Sequence, residues 1–393
     1  MHILIIGGTG VLSTAVTAEA LKKGIKVTMI NRGNRPIPDG VEHIKANKDD
    51  LTTIADRLKD RKFDAVMDYL CYTDAQTEKS VNFYSVYTKQ YFYISSCAVY
   101  DTRAMKGEPC EEDSPKVLPM WKYSVDKWAS EEKLSKMFKE SDAHYTIIRP
   151  CVTYGDTRIP YGISPRYGYH WTLCARILSE KPIITWNHGV NRCNMTRVED
   201  FAVGVVGLIG NPKAYNEAFN VCGDEAPSFN DVLNTMSEIL GKQVITIDIT
   251  SEDYAKEIPS RAGELLGGRS IDAINSNKKI KEAVPSFRHT FSLKQGIQKT
   301  IDAYKQHEYQ HGIDWIFDAD TDRIIKKWCK QQGIDWKQYN LGLVDYLGTA
   351  TFHDKLTYMM QYHKDDIVVK MMKLLVWPFS TIKSGARKIS RII

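Results

Sequence analysis

Ile3-Leu4-Ile5-Ile6-Gly7-Gly8-Thr9-Gly10-Val11-Leu12-Ser13 is the stretch that decides the fold. Four apolar residues in a row read as a short strand buried on both faces. Glycines follow, where the chain must turn tightly, and Val11–Lys23 then shows helical spacing that stops at Gly24. Strand, glycine turn and helix in this order open a βαβ unit. Backbone in such a turn can approach a pyrophosphate closely, and the helix N-terminus adds N–H donors and a positive dipole end. Gly7, Gly10, Val11 and Leu12 are therefore candidate cofactor-binding residues, and Ser13 stands where a third glycine is usual.

Working outward, short apolar runs at Lys26–Ile30, Val41–Ala46, Phe63–Asp68, Tyr91–Ser95 and Tyr145–Arg149 alternate with helical patterns at Leu51–Leu58 and Tyr123–Phe138. That alternation predicts an α/β fold, a doubly wound parallel sheet of the Rossmann type. Residues 155–195 hold several Gly, Pro, Tyr and Trp residues with little periodicity and read as loops lining a pocket. Helices are predicted over Phe201–Ile209 and Phe229–Leu240, and a strand over Val244–Ile249. Three regions result: a nucleotide-binding domain over 1–155, a smaller α/β substrate-binding region interleaved with it over 156–304, and a helical, aromatic-rich extension over 305–393 with a basic tail.

The second predicted strand runs into Asn31-Arg32-Gly33-Asn34-Arg35. An acidic residue about 20 positions beyond the glycines would bind a ribose 2′-hydroxyl and select NAD. Here Asn31 takes that place with Arg32 and Arg35 beside it, and guanidinium groups suit a 2′-phosphate. NADP is thus slightly favoured over NAD, the alternative being a solvated basic loop.

Two further signals carry chemistry. The fifth strand ends in Ser95-Ser96, and strand C-terminal ends are where ligands bind in such sheets. Tyr123 and Lys127 are four apart and share a helix face, so an ammonium can sit near a phenol and lower its pKa. Ser96, Tyr123 and Lys127 are the candidate catalytic residues, with Tyr123 as the proton-exchanging group.

Glycine turn, strand-end serine and Tyr-x-x-x-Lys in this order resemble the extended short-chain dehydrogenases/reductases, the epimerase/dehydratase family of UDP-glucose 4-epimerase and its relatives. The resemblance runs from about Met1 to Tyr304 and includes Arg149-Pro150…Tyr154-Gly155, Val198-Glu199-Asp200, Arg261 with its neighbours, and Asp272 and Lys278. It implies that Ser96 and Tyr123 handle a sugar hydroxyl, and that Lys127 lowers the pKa of Tyr123 and holds the nicotinamide ribose. It also implies that Asp50 lies near the adenine and that Arg261 grips a substrate diphosphate. Arg192 stands one place before the position of another phosphate-binding arginine, which Cys193 occupies, and is the second substrate-binding candidate. Tyr72 replaces a usually small residue beside the nicotinamide and either narrows the site or packs.

The implied activity is that of a nucleotide-sugar epimerase, passing a hydride to and from a bound nicotinamide through a transient keto-sugar. Cys97 and Ala98 follow Ser96 where dehydratases carry Asp and Glu, so elimination of water is not expected. An NADP-dependent nucleotide-keto-sugar reductase is the alternative within the class. Outside it stand a non-catalytic NADP- or RNA-binding relative, against which the complete Ser96, Tyr123 and Lys127 set argues, and a reductase of small carbonyl compounds, against which Arg261 and the sugar-type C-terminal half argue. A homodimer is expected from the resemblance alone.

The chain has 393 residues and a net charge of +5. Six basic and no acidic residues lie in 367–393; setting those six aside leaves the remainder at −1, which argues against nucleic acid as a partner. In the same tail Met371, Met372, Leu374, Leu375, Val376, Trp377 and Phe379 adjoin Lys383, Arg387, Lys388 and Arg391, with Pro378 as a helix break. Apolar residues beside unbalanced positive charge fit peripheral contact with an anionic membrane. Eight cysteines without a Cys-x-x-Cys pair read as reduced thiols, and no signal sequence or spanning segment is visible. The expected location is cytoplasmic, with the tail at the inner membrane surface. His307-Glu308-Tyr309-Gln310-His311 matches a zinc-binding spacing, but Gly312 follows at once and no later glutamate is available as a third ligand, so no metal is expected.

Overall fold

The structure, a computed structural model, describes residues 1–117, 119–139 and 141–366; the basic tail and its Pro378 break lie outside the described residues. In chain order the strands are β1 (His2–Ile6), β2 (Lys26–Asn31), β3 (Val41–Lys45), β4 (Ala65–Asp68), β5 (Gln90–Ile94), β6 (His144–Pro150), β7 (Val152–Tyr154), β8 (Ile183–Trp186), β9 (Met195–Arg197), β10 (Glu217–Val221) and β11 (Thr246–Ile249). The helices are α1 (Val11–Lys22), α2 (Leu51–Leu58), α3 (Asp74–Tyr84), α4 (Lys122–Met137), α5 (Trp171–Leu178), α6 (Val198–Gly207), α7 (Phe229–Leu240), α8 (Ser251–Glu257), α9 (Ala262–Glu264), α10 (Lys278–Ala283), α11 (Leu293–Gln306), α12 (Trp315–Gln331) and α13 (Phe352–Tyr362).

Seven strands form one sheet in the order β10-β6-β5-β4-β1-β2-β3, and all its pairings are parallel. Both faces are covered, which is why the strands read as unbroken apolar runs. Alternation along β1 shows the division of the core: Ile3 and Ile5 pack with Val16, Ala20, Phe201 and Val205 on one face. Leu4 and Ile6 pack with Ile54, Leu58, Val81, Tyr84 and Leu134 on the other. Ile6 pairs with Asp68, so the ends of β1 and β4 lie side by side where the connections diverge to opposite edges of the sheet. That reversal opens the crevice in which such sheets bind ligands.

The chain divides into two compact units. One comprises residues 1–163, 185–239 and 248–304, and contains the sheet; the other comprises 164–184, 240–247 and 305–393. Residues 155–195 are not the run of loops expected from sequence, because α5 and β8 lie within them. All their side chains except Leu178 are buried, so no polar face marks the period. The zinc-like spacing fails on geometry: α11 ends at Gln306 and Glu308 adopts a left-handed conformation (φ 55°), so His307 and His311 do not share a continuous helix face. All eight cysteines are free thiols.

The second unit is organised by buried charge. Arg176 donates to Asp318 (2.5 Å) and Asp322 (2.8 Å), and Lys181 reaches the same two carboxylates at 3.0 and 2.6 Å; all four side chains are fully buried. Tyr346 and Tyr358 donate to Asp318 and Asp322 at 3.1 and 2.5 Å. Two cations face two anions, and removing one member strands a buried charge at a cost of about 3–5 kcal/mol. Burial raises the Asp322 carboxyl, but Arg176 and Lys181 more than offset this and hold it below the usual carboxylate range. Its contribution is complete above that range and is lost as pH falls through the lowered value. Asp322→Ala is expected to lower the urea-unfolding free energy by about 3 kcal/mol at neutral pH, and the difference from wild type should shrink on acidification.

Candidate active site

The glycine turn joins β1 to α1 at the crevice. Gly7 (φ 106°) and Gly8 (φ 49°) both occupy left-handed backbone, and a Cβ on Gly8 would stand 2.2 Å from Met29 Sδ. Only glycine lets β2 pass this close to the turn. Gly10 donates its N–H to Ser13 Oγ at 2.9 Å, so the serine caps the helix start where a third glycine is usual. The N–H groups of Val11 and Leu12 belong to the first turn of α1 and have no acceptor within the helix. Tight turn and open helix terminus together fit a dinucleotide pyrophosphate.

At the end of β2, Asn31 Oδ1 accepts from Gly33 N–H (2.7 Å) and from His43 Nε2 (3.0 Å). Arg35 Nη1 donates to the Thr9 carbonyl at 2.6 Å and so ties this loop to the glycine turn. Arg32 remains exposed. Asp50 caps α2, accepting from Thr53 N–H at 3.2 Å.

Ser96 follows β5, and its Oγ accepts from Ala98 N–H at 3.1 Å. It is near enough to Tyr123, in the first turn of α4, to pull that phenol's pKa down. One turn further, Lys127 Nζ donates to the carbonyls of Cys71 (2.7 Å) and Ile94 (2.8 Å). Three rings surround that ammonium, with centroids at 4.9 Å (Tyr93), 5.1 Å (Tyr72) and 5.9 Å (Tyr123). Burial lowers the Lys127 pKa to about 8.

The expected lowering of the Tyr123 pKa by Lys127 is not found. Burial raises the phenol, while Ser96 and the charges of Arg158 and Arg269 pull it partly back. Lys127 faces the ring of Tyr123, and its ammonium is engaged by two backbone carbonyls.

Beneath the site, Glu131 extends the α4 face that carries Tyr123 and Lys127. It accepts from Ser95 Oγ (2.5 Å) and, twice, from Arg149 (3.0 and 2.6 Å). Arg149 also donates to Tyr100 Oη at 2.7 Å, which donates in turn to Asn220 Oδ1 at 2.6 Å. This buried chain fixes α4 against the ends of β5 and β6, and with them Tyr123 against Ser96.

On the other side of Tyr123, the ring of Trp121 lies 5.5 Å away. Residues 263–268 lie directly on it: Cβ atoms on Gly263, Gly267 and Gly268 would come within 2.8, 2.9 and 2.6 Å of Met120 and Trp121. This close approach brings in Arg261 and Arg269, which share the carboxylate of Glu264 at 2.9 and 3.4 Å. Arg158, anchored to the Thr153 carbonyl at 3.1 Å, adds its charge to Glu264 as well. Burial alone would raise Glu264, but Arg269 and Arg261 hold its pKa down. Arg192 is half exposed and pairs with Asp272 at 3.2 Å. Arg158, Arg269 and Trp121 were not singled out from sequence; a Gly-Gly-Arg run soon after Arg261 was the available signal.

A family model described as NAD dependent epimerase/dehydratase family matches residues 3–222. The chain is 25% identical over 259 residues to the chloroplast stem-loop binding protein of 41 kDa b of Arabidopsis thaliana, covering 61% of this chain and 63% of that protein. It is 25% identical over 178 residues to UDP-arabinose 4-epimerase 1 of the same plant, covering 38% of this chain and 42% of the relative. The chain thus spans less than two thirds of either curated relative. In fold it is similar to UDP-glucuronic acid 4-epimerase from Bacillus cereus, solved with NAD, at a TM-score of 0.62 and 19% identity over 78% of this chain and 99% of that one.

With Lys127 losing its proton near pH 8, binding of NAD(H) that depends on the ammonium should weaken as pH rises through about 8. Fluorescence titration of NADH across that range checks this, and Lys127→Met is expected to bind weakly with no such limb.

Proposed function

This chain belongs to the NAD dependent epimerase/dehydratase family, and from that premise we propose that it is a nucleotide-sugar epimerase. The observation that carries the reading is that Ser96 at the end of β5 acts on the Tyr123 phenol, lowering its pKa, while the Lys127 ammonium lies 5.9 Å from the ring of Tyr123. The glycine turn and the first-turn amides of Val11 and Leu12 would hold the pyrophosphate of the cofactor, and Lys127 its nicotinamide ribose. When bound, the nicotinamide supplies the reversible two-electron oxidation of a sugar carbon. Ser96 Oγ orients the sugar hydroxyl, and Tyr123 Oη takes its proton during oxidation and returns it on reduction. Because burial raises the phenol, Ser96, Arg158 and Arg269 are the groups that bring its pKa back toward that of its task. Arg261, with Arg192, would bind the diphosphate.

Tyr123→Phe removes the proton-transfer atom and leaves the ring. Turnover of a UDP-sugar panel, with epimers resolved by chromatography, should fall by about 10²–10⁴-fold while NADH affinity stays within a few-fold of wild type. Full retained activity would overturn the role of Tyr123. A product of unchanged mass without net cofactor use identifies the epimerase, and a two-hydrogen difference matched by cofactor turnover identifies the reductase.

Arg32 favours NADP as the cofactor, since the end of β2 carries an exposed guanidinium and no carboxylate. Arg35 contributes less because it is bonded to Thr9. Arg32→Ala is expected to weaken NADPH binding about tenfold and NADH binding little. Similarity to a stem-loop binding protein supports a second reading, a nucleotide-binding relative with an RNA partner; the near-neutral charge of residues 1–366 weighs against it. The remaining parts of the reading are a homodimer, a cytoplasmic location, and contact between the basic segment 367–393 and an anionic membrane surface.

A further inference from the structure

The loop between β4 and α3 runs from the glycine turn to the buried lysine. At its start, a Cβ on Gly7 would stand 3.0 Å from Leu70 Cγ, so Leu70 lies against the turn. At its end, the Cys71 carbonyl accepts from Lys127 Nζ at 2.7 Å, and the ring of Tyr72 lies 5.1 Å from the same nitrogen. The loop is tied down from behind. Buried Asp68 accepts from Leu70 N–H (2.7 Å), Cys71 Sγ (3.1 Å) and Ser80 Oγ (2.5 Å). Tyr72 N–H donates to Gln76 Oε1 at 2.8 Å, which holds the residue over Lys127 from the first turn of α3.

An ammonium has three N–H donors, and the carbonyls of Cys71 and Ile94 take two of them. Rings make up the rest of the surroundings. An aromatic face attracts a cation, more strongly where water is excluded. Tyr93 is fully buried behind Lys127, while Tyr72 is 51% exposed, so Tyr72 is the ring with most surface left for a bound molecule to cover. The other groups that act on Lys127 are the carboxylates of Asp68 and Glu131, from β4 and α4, which favour the ammonium, and the Cys71 thiol. Burial pushes that thiol up, and burial raises the phenols of Tyr72, Tyr93 and Tyr123. These groups are neutral near pH 8, where Lys127 itself changes charge.

We propose that Tyr72 is a positioning residue for the cofactor: the face of its ring holds the Lys127 ammonium where it can bind the nicotinamide ribose. This rests on the reading that Lys127 holds that ribose. The ring acts through its π face, so leucine fills the space without replacing it, and phenylalanine replaces it. Removing the face disfavours the cation, and the lysine gives up its proton at a lower pH.

The test is fluorescence titration of NADH against the full chain across about pH 6–9. The loss of binding near pH 8 should move down by about half a unit to one unit in Tyr72→Leu, which at pH 8 makes NADH binding about two- to fivefold weaker than wild type. Tyr72→Phe should titrate like wild type. Added to Lys127→Met, the exchange Tyr72→Leu should change nothing at any pH, because its effect runs through the ammonium. An unmoved limb in Tyr72→Leu overturns the proposal and leaves the role of Lys127 standing. So does an equal loss of affinity with and without Lys127, which would mark a merely structural role. A limb shifted as far by phenylalanine as by leucine puts the effect in the hydroxyl and overturns the proposal as well. If wild type shows no loss of binding near pH 8, the role of Lys127 fails first, and that of Tyr72 with it.

Discussion

The pairing of Glu131 with Arg149 is the interaction on which the site depends. Both side chains are buried, and each is costly to leave without the other. Together they bind α4 to β6, and through Ser95 they bind both to the end of β5. Tyr123 and Lys127 stand on the same helix face, two turns and one turn before Glu131, so their distance from Ser96 is set by this buried contact. The reactive groups therefore need few bonds of their own. Tyr123 can meet Ser96 and still be available to a substrate, because its position is fixed from below.

The second unit uses the same physics with twice the charge. Arg176 and Lys181 against Asp318 and Asp322 make a neutral, fully buried set. Through Arg176 the set ties α5 to α12. It also fixes α13, since Tyr358 closes the cluster from that helix.

Much of this was legible in the sequence because the signals were local. The strand–glycine–helix opening needs only neighbouring residues, and the parallel sheet follows from repeated alternation. Ser96, Tyr123 and Lys127 could be put forward as candidates because each stands at a position that its own element defines. What escaped were features made by distant residues. Nothing near Arg176 in the run Leu173-Cys174-Ala175-Arg176-Ile177-Leu178 announces two aspartates more than a hundred positions later. Arg269 acts on Tyr123 because glycines 263, 267 and 268 pack closely on Met120 and Trp121, and Arg158 comes to it from a different stretch of chain. The raised phenol was missed for a related reason: spacing along a helix reports which residues share a face, and burial of the phenol depends on what covers it.

Each of the two units is assembled from three separate stretches of chain. A ribosome delivers residues in order, at about 5–20 per second. β6 waits for its neighbour β10 until residue 221 has emerged, and the first unit lacks its last stretch until residue 304. In the interval the apolar edge of β6, with Ile147 and Ile148, stands open. Residues 164–184, already made, carry Arg176 and Lys181 without Asp318 and Asp322 to meet them. Neither unit can finish before the other has begun, so the nascent chain carries an open strand edge until residue 221 and two unmatched cations until residue 322. Holding such a chain in solution is work for the chaperones that meet it at the tunnel exit.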